Sequence, residues 1–171
     1  MPHTLAAINA MPRDEFVRCL GDVFEHSPWV AERAFDKRPF ADIGGLHAAM
    51  FEAIQTSAFA RQLAFLRAHP ELAGKAMVAR SLTVDSANEQ SRSGLTQCSP
   101  EEFARLQELN AAYGMRFGWP FILAVKNLDR ATIINTFATR LQASAADEFE
   151  ACLANIGQIT RWRLADLIAA T

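Results

Sequence analysis

A histidine at the end of a helical pattern is positioned to donate a proton. Phe59, Leu63 and Leu66 recur at three- and four-residue spacing, which predicts an amphipathic helix. Pro70 has no amide hydrogen and disfavours the α conformation in the residue before it, so this helix is expected to end at His69. The negative end of the helix dipole favours a protonated imidazole, which suits a general acid. Capping of the last helical carbonyls is the alternative role, and the spacing leaves both open.

The segment Ser86-Ala87-Asn88-Glu89-Gln90 has the Ser-x-x-Glu form of a capping box. In that motif the serine hydroxyl and the glutamate carboxylate each satisfy one backbone amide at a helix start. The same geometry directs a carboxylate, an amide and the helix N-terminal N–H groups towards one point, which suits a ligand with carbonyl and carboxylate groups. Both roles can coexist, with Ser86 as the cap and Glu89 and Gln90 facing a pocket.

The segment Phe117-Gly118-Trp119-Pro120-Phe121-Ile122 interrupts a helical pattern and continues into Leu123-Ala124-Val125. This apolar run has strand-like residues but no evident partner strand. Buried backbone groups are rarely left unpaired. The segment is therefore expected either to become helical early or to present its amides to a ligand, and its composition does not separate the two.

Arg163 is predicted to point inward from the last helix. Counting back by four, seven and eleven residues meets Ile159, Ile156 and Cys152, whereas Arg161 falls about 160° away on the solvent side. A guanidinium on an apolar stripe needs acceptors. These are either a structural carboxylate or a carbonyl or carboxylate of a substrate.

The elements that must position these side chains are all helical, because strict alternation of apolar and polar residues is almost absent. We predict an all-α fold, a single-domain helical bundle of about seven helices over residues 1–171. Ser27-Pro28 and Ser99-Pro100 each place a serine as the expected N-cap before a proline, and Glu102 completes a capping box with Ser99. The predicted helices lie near 12–25, 28–35, 42–68, 86–92, 100–116, 129–143 and 145–169.

Composition narrows the function classes. The chain has 171 residues, 17 basic and 19 acidic side chains and a net charge of -2, which gives no sign of a nucleic-acid groove or a membrane-binding patch. Cys19, Cys98 and Cys152 follow no metal-ligand spacing, the histidines show no metal-binding motif, and no metal site is expected. The odd number of cysteines favours a reducing, cytoplasmic location. There is no glycine-rich phosphate loop and no Gly-x-Ser-x-Gly elbow.

These motifs, in this order, resemble the 2-oxo-4-hydroxy-4-carboxy-5-ureidoimidazoline (OHCU) decarboxylase family, which makes (S)-allantoin in urate degradation. The resemblance covers nearly the whole chain. It extends over Phe24-Glu25-His26-Ser27-Pro28-Trp29-Val30-Ala31, His69-Pro70-Glu71-Leu72-Ala73, Leu82-Thr83, Ser86-x-x-Glu89-Gln90, Leu109-Asn110-x-x-Tyr113, Phe117-Gly118-Trp119-Pro120-Phe121-Ile122 and Arg163-Leu164-x-Asp166-Leu167.

The resemblance implies a cofactor-free carboxy-lyase in purine catabolism. It implies catalytic roles for His69, as the proton donor, and for Glu89 and Arg163. It also implies a homodimer that works next to a urate-oxidising enzyme and a hydroxyisourate hydrolase. The substrate-binding residues that it implies are Pro70, Ser86, Glu89, Gln90, Phe121, Ile122, Leu123, Ala124, Val125 and Arg163.

Three positions depart from the family pattern and bear on the shape of the pocket: Glu71, Ser93 and Trp119. Two rival functions stay open at the level of sequence. One is a helical interaction module in which His69, the capping box and Arg163 have structural roles only. The other is a related lyase or hydrolase acting on a different ureido compound.

Overall fold

The chain folds as an all-α protein in the computed structural model, which describes residues 2–73 and 94–169. These ranges contain eight α-helices and one short 3₁₀ helix, and their only β pairing is an isolated parallel bridge between His3 and Ile168. The predicted fold class is confirmed. Among the described helices, none has the length and apolar character needed to span a bilayer.

The chain divides into two compact units, which we call the first unit (Met1–Ala68 with Gly157–Thr171) and the second unit (His69–Ile156). The last helix contributes residues to both. The extent of the domain, predicted as 1–171, stays a prediction.

Five helices of the first unit precede residue 68. They are α1 (Leu5–Ala10), α2 (Arg13–Leu20), α3 (Pro28–Phe35), α4 (Ile43–Gln55) and α5 (Phe59–Arg67). Helix α2 packs on α3, α3 on α4, and α4 on α5. Phe16 and Phe24 are fully buried in the core of this unit.

The second unit contains the 3₁₀ helix Leu95–Gln97, then α6 (Pro100–Phe117), α7 (Arg130–Arg140) and the first part of α8 (Ala145–Leu167). Helix α6 packs on α7. Gly118 ends α6 in the left-handed region at φ +76°, a conformation that glycine adopts without strain, and donates its N–H to the Gly114 carbonyl. Beyond this turn, the rings of Phe121 and Phe137 stack with their centroids 3.8 Å apart.

The predicted continuous helix over 42–68 is wrong, because the chain breaks between α4 and α5 at residues 56–58. The Thr56 and Ser57 hydroxyls donate to the carbonyls of Glu52 and Ile54 at 2.7 Å. Gln62 donates to the carbonyls at the end of α4 and to that of Ser57. These side-chain hydrogen bonds compete with the helical ladder and terminate α4.

The N-terminal helices also differ from the expectation. Helix α1 was not predicted, and α2 ends at Leu20 rather than at residue 25. The chain then turns, with the amides of Val23 and Glu25 bonded three residues back, and Glu25 has a φ of +41°. The helix expected at 86–92 lies outside the described residues.

The two Ser-Pro helix starts behave differently. At the start of α6, Ser99 and Glu102 form the predicted capping box in both directions. At the start of α3, Pro28 occupies the first turn as predicted, but the Ser27 side chain makes no capping hydrogen bond. The prediction of a capping hydroxyl is confirmed for Ser99 and wrong for Ser27.

Candidate active site

His69 follows the last residue of α5 by two positions and precedes Pro70, as the sequence predicted. Its side chain is buried, with 8% of the residue exposed. A buried polar ring is held in a defined orientation, whereas an exposed ring is solvated. This placement is compatible with both the capping and the catalytic interpretation.

The backbone that follows His69-Pro70 is fixed by α6. Asn110 Nδ2 donates to the Leu72 carbonyl at 2.8 Å, and Gln107 Nε2 donates to the Ala73 carbonyl at 2.6 Å. Ala73 has a φ of +50°, in the left-handed region that a residue with a side chain rarely adopts. These two hydrogen bonds hold the chain in this conformation directly after the histidine.

The segment Phe121–Val125 is irregular, so the expectation that it becomes helical early is wrong. The Ile122 carbonyl accepts from Arg140 Nη1 at 2.8 Å, and the Ala124 amide donates to Asn155 Oδ1 at 2.9 Å. The amides of Leu123 and Val125 have no acceptor among residues 2–73 and 94–169. The segment therefore has backbone donors that a ligand can bind, which is what the second interpretation requires.

Arg140 belongs to a buried polar cluster in the second unit, which we call the Arg140 cluster: Tyr113, Arg140, Glu148 and Cys152. Glu148 has 1% of its side chain exposed and accepts from Arg140 Nε at 3.1 Å and Nη2 at 2.5 Å. The Tyr113 hydroxyl donates to Oε1 of the same carboxylate at 2.5 Å. The planar fork of an arginine matches a carboxylate in this bidentate way, which fixes both groups.

The protonation states of this cluster follow from burial and charge. Burial by itself would lower the pKa of Arg140, but the hydrogen bonds and negative charge of Glu148 raise it above its usual value. Burial, with the neighbouring Cys152 and Glu148, raises the pKa of Tyr113 far above its usual range. Burial also raises the pKa of the Cys152 thiol. Tyr113 and Cys152 are therefore neutral at neutral pH, so Cys152 is not a thiolate nucleophile.

Arg163 points inward from α8, as predicted, with 5% of its side chain exposed. Its Nη2 lies 2.7 Å from Glu25 Oε1, and its Nη1 donates to the Val23 carbonyl at 3.2 Å. Glu25 is completely buried. The structural carboxylate that the sequence left as one alternative is therefore present, and it fixes the plane of the guanidinium.

Comparison with known proteins identifies the family. The family model described as OHCU decarboxylase matches residues 9–165. The chain belongs to the OHCU decarboxylase family. A mouse protein named 2-oxo-4-hydroxy-4-carboxy-5-ureidoimidazoline decarboxylase is 37% identical over 166 residues, which are 97% of this chain and 93% of the mouse protein.

Two further relatives extend the comparison. The uric acid degradation bifunctional protein PucL of Bacillus subtilis is 36% identical over 165 residues, covering 96% of this chain and 33% of that protein. The crystal structure of an (S)-allantoin synthase superposes with a TM-score of 0.78 at 28% identity, covering 98% of this chain and 54% of that chain. The fold is thus the one seen in this (S)-allantoin synthase.

Some of the predicted site residues of this OHCU decarboxylase family member lie within the described residues, and others lie outside them. His69, Pro70 and the segment Phe121–Val125 belong to the second unit, and Arg163 belongs to the first. Ser86, Glu89 and Gln90 lie outside the described residues, so their predicted roles stay predictions.

Sequence reasoning missed the side chains that hold the predicted site segments: Asn110, Arg140, Glu148 and Asn155. A signal existed for Glu148, because it lies four residues before Cys152 on the stripe that correctly placed Arg163 inward. Asn110 belongs to the motif Leu109-Asn110-x-x-Tyr113, but the resemblance assigns it no role. Nothing in the local pattern marks Arg140 or Asn155, whose hydrogen bonds join positions 18 and 31 residues apart.

No group of three or more metal-ligating side chains occurs within the described ranges. His47 is buried in the first unit, where its Nε2 lies 3.0 Å from the Thr160 hydroxyl. Burial, then the positive charge of Arg161, lowers its pKa, so the ring is neutral and hydrogen-bonded. This histidine has a structural role.

Proposed function

We propose that this chain decarboxylates 2-oxo-4-hydroxy-4-carboxy-5-ureidoimidazoline to (S)-allantoin, the last step from urate to allantoin in purine catabolism. The observation that carries the proposal is the match to the mouse decarboxylase over nearly the full length of both chains. The name of the bifunctional Bacillus relative also refers to uric acid degradation. The chain is accordingly a carboxy-lyase.

The substrate contains its own electron sink. The ring carbon that loses the carboxylate also bears a hydroxyl and adjoins the ureido-bearing carbon, which is doubly bonded to nitrogen. When the carbon–carboxylate bond breaks, CO2 leaves and its electron pair forms a double bond between the two ring carbons, while the imine pair moves to nitrogen. That nitrogen takes up a proton, a second proton adds to the ureido-bearing carbon, and the hydroxyl gives up its own proton to become a carbonyl, so that one proton is consumed for each CO2 released. The reaction therefore proceeds without a cofactor in this proposal.

His69 is the proposed proton donor, acting with Glu89. Its buried position after α5 supports this role, because an acid must be held on one face of the ring to give a single enantiomer. The hydrogen bonds that α6 makes to Leu72 and Ala73 fix the backbone that carries it.

The substrate is held by polar groups from several segments in this proposal. The amides of Leu123 and Val125, which have no acceptor within the described part of the chain, are suited to its carbonyl and carboxylate oxygens. Arg163 remains a substrate-binding candidate on the resemblance alone, with its guanidinium plane fixed by Glu25. The remaining proposed contacts come from Pro70, Ser86, Glu89, Gln90, Phe121, Ile122 and Ala124.

We further propose a cytoplasmic homodimer that receives its substrate from a urate-oxidising enzyme and a hydroxyisourate hydrolase. The cysteine content supports the location. The family resemblance supports the dimer and its pathway neighbours.

The test generates the unstable substrate in situ from urate with those two preceding enzymes and follows the release of CO2. The wild-type chain is expected to accelerate release over the protein-free control. His69→Asn should lower kcat by about 10²- to 10⁴-fold, the usual contribution of a general acid, with thermal unfolding unchanged. The control His26→Asn changes an exposed histidine and should match the wild type. Wild-type turnover in His69→Asn would contradict the proposed role.

A further inference from the structure

The segment Phe121–Val125 is held by two side chains from two different helices. Arg140, the last residue of α7, donates Nη1 to the Ile122 carbonyl at 2.8 Å. Asn155, on α8, accepts from the Ala124 amide with Oδ1 at 2.9 Å. All of these groups belong to the second unit, and neither side chain has a role in the proposed reaction.

Arg140 is itself held rigidly. Its side chain is 14% exposed, and it makes two hydrogen bonds with the buried Glu148 carboxylate. Tyr113 bonds to the same carboxylate, and the guanidinium carbon lies 4.5 Å from the centroid of the Phe121 ring. Arg140 therefore contacts the segment twice, through the Ile122 carbonyl and through the face of Phe121.

Asn155 is also oriented by a second contact. Its Nδ2 donates to the Ala151 carbonyl, one helical turn earlier, at 2.8 Å. This hydrogen bond turns the amide so that Oδ1 faces Ala124. The acceptor for the Ala124 amide is thus set by the helix and not by the irregular segment itself.

We propose that Arg140 and Asn155 are positioning residues, which clamp the Ile122 carbonyl and the Ala124 amide so that the amides of Leu123 and Val125 are directed at the substrate. The inference rests on the proposed function and adds the residues that preorganise its binding segment. Preorganised donors stabilise a ligand without reorganising when it binds. A purely structural role for the two side chains would change stability and leave substrate affinity unchanged.

The first test is Arg140→Lys, measured by the KM and kcat of CO2 release and by the Kd for (S)-allantoin. Lysine keeps the positive charge beside Glu148 but lacks the planar fork that reaches both Glu148 and Ile122. We expect KM and Kd to rise by at least about tenfold, because a shift of about 1 Å in positioning groups costs up to about 10²-fold. We expect kcat to change by less than about threefold, since the lost contacts bind substrate and transition state alike.

Arg116→Lys is the matched control. Arg116 also donates to a backbone carbonyl, that of Ala143, at 2.9 Å, and its guanidinium carbon lies 5.3 Å from the centroid of a phenylalanine ring, Phe117. Within the described ranges, no hydrogen bond or cation–π contact joins Arg116 to the segment Phe121–Val125. Its KM, kcat and Kd should equal those of the wild type.

The second test compares Asn155→Leu with Asn155→Asp. Leucine has a similar size but no acceptor, so KM and Kd should rise as in Arg140→Lys. Aspartate keeps an oxygen for the Ala124 amide but loses the Nδ2 donation to the Ala151 carbonyl, so it should recover part of the affinity that Asn155→Leu loses. If Arg140→Lys does not fold, the two Asn155 variants test the inference by themselves.

Each outcome has a definite meaning. Wild-type KM and Kd in both Arg140→Lys and Asn155→Leu would overturn the inference, as would an Asn155→Asp variant no better than Asn155→Leu. A wild-type chain that neither releases CO2 from the substrate nor binds (S)-allantoin would overturn the proposed function, and the inference with it. An active wild type with unaffected variants overturns the inference alone.

Discussion

Glu25 and Arg163 lie almost fully out of water, with 1% and 5% of their side chains exposed. Transfer of either charge alone into such a site would cost several kcal/mol, and their mutual attraction and hydrogen bonds offset this cost. Glu25 also has a φ of +41°, which a non-glycine residue rarely adopts. The pair is therefore sensitive to the loss of either charge.

Glu25→Gln should lower the free energy of unfolding by about 3–5 kcal/mol, because it removes the carboxylate charge that lies beside the buried Arg163 guanidinium. Urea denaturation of wild type and variant measures this difference. Asp36→Asn is the control, since Asp36 pairs with Arg13 while 68% and 48% of their side chains are exposed. It should cost less than about 1 kcal/mol. Equal effects of the two substitutions would contradict the assignment of a buried, energetically coupled pair.

The orientation of a single side chain was predictable where the spacing of its neighbours along one helix determines it. The apolar stripe of the last helix correctly predicted that Arg163 points inward, and Pro70 correctly predicted that a helix stops close to His69. The partner of Arg163 was not predictable, because Glu25 lies 138 positions away along the chain. Such a contact depends on the tertiary fold, which spacing within one helix does not encode.

At the scale of elements, helix boundaries depend on side chains that bond to the backbone. Ser99 and Glu102 start α6 through reciprocal hydrogen bonds of 3.1 and 2.9 Å, and Glu102 also accepts from Arg130, the first residue of α7, at 3.0 Å. The capping box therefore also links the starts of two packed helices. Ser27 has the same Ser-Pro sequence but a different backbone, with ψ of 59° instead of 161°, and does not cap.

Ser99→Ala should lower the free energy of unfolding by about 1 kcal/mol, the usual contribution of a capping serine. Ser27→Ala is the matched control and should have a clearly smaller effect, because no hydrogen bond to the first turn of α3 is lost. Chemical denaturation of both variants gives the comparison. A Ser27→Ala effect as large as that of Ser99→Ala would show that the proline context, and not the observed capping bond, determines stability at these starts.

Elements were predicted well where an amphipathic pattern follows a Ser-Pro helix start, as for α3 and α6. They were mispredicted where polar side chains interrupt a pattern. Thr56 and Ser57 divide one apolar period into α4 and α5 by hydrogen bonding to carbonyls of α4. The segment Phe121–Val125 remained ambiguous in the sequence, because its shape depends on Arg140 and Asn155 from other helices.

At the scale of the whole molecule, the near absence of alternating patterns predicted the all-α fold. The functional prediction required the resemblance, since each motif by itself also had a structural interpretation. Membership of the OHCU decarboxylase family now rests on a match over residues 9–165. The central claim is that the molecule turns this family's substrate into a single enantiomer of allantoin.

The most direct test is the circular dichroism of allantoin formed from urate in the presence of the urate-oxidising and hydroxyisourate-hydrolysing enzymes. With the wild-type chain added, the account predicts rapid growth of the (S)-allantoin signal, because the proton reaches one face of the ureido-bearing carbon. The protein-free control has no group to select a face and should show no comparable signal. If (S)-allantoin forms no faster with the chain than without it, the account is contradicted.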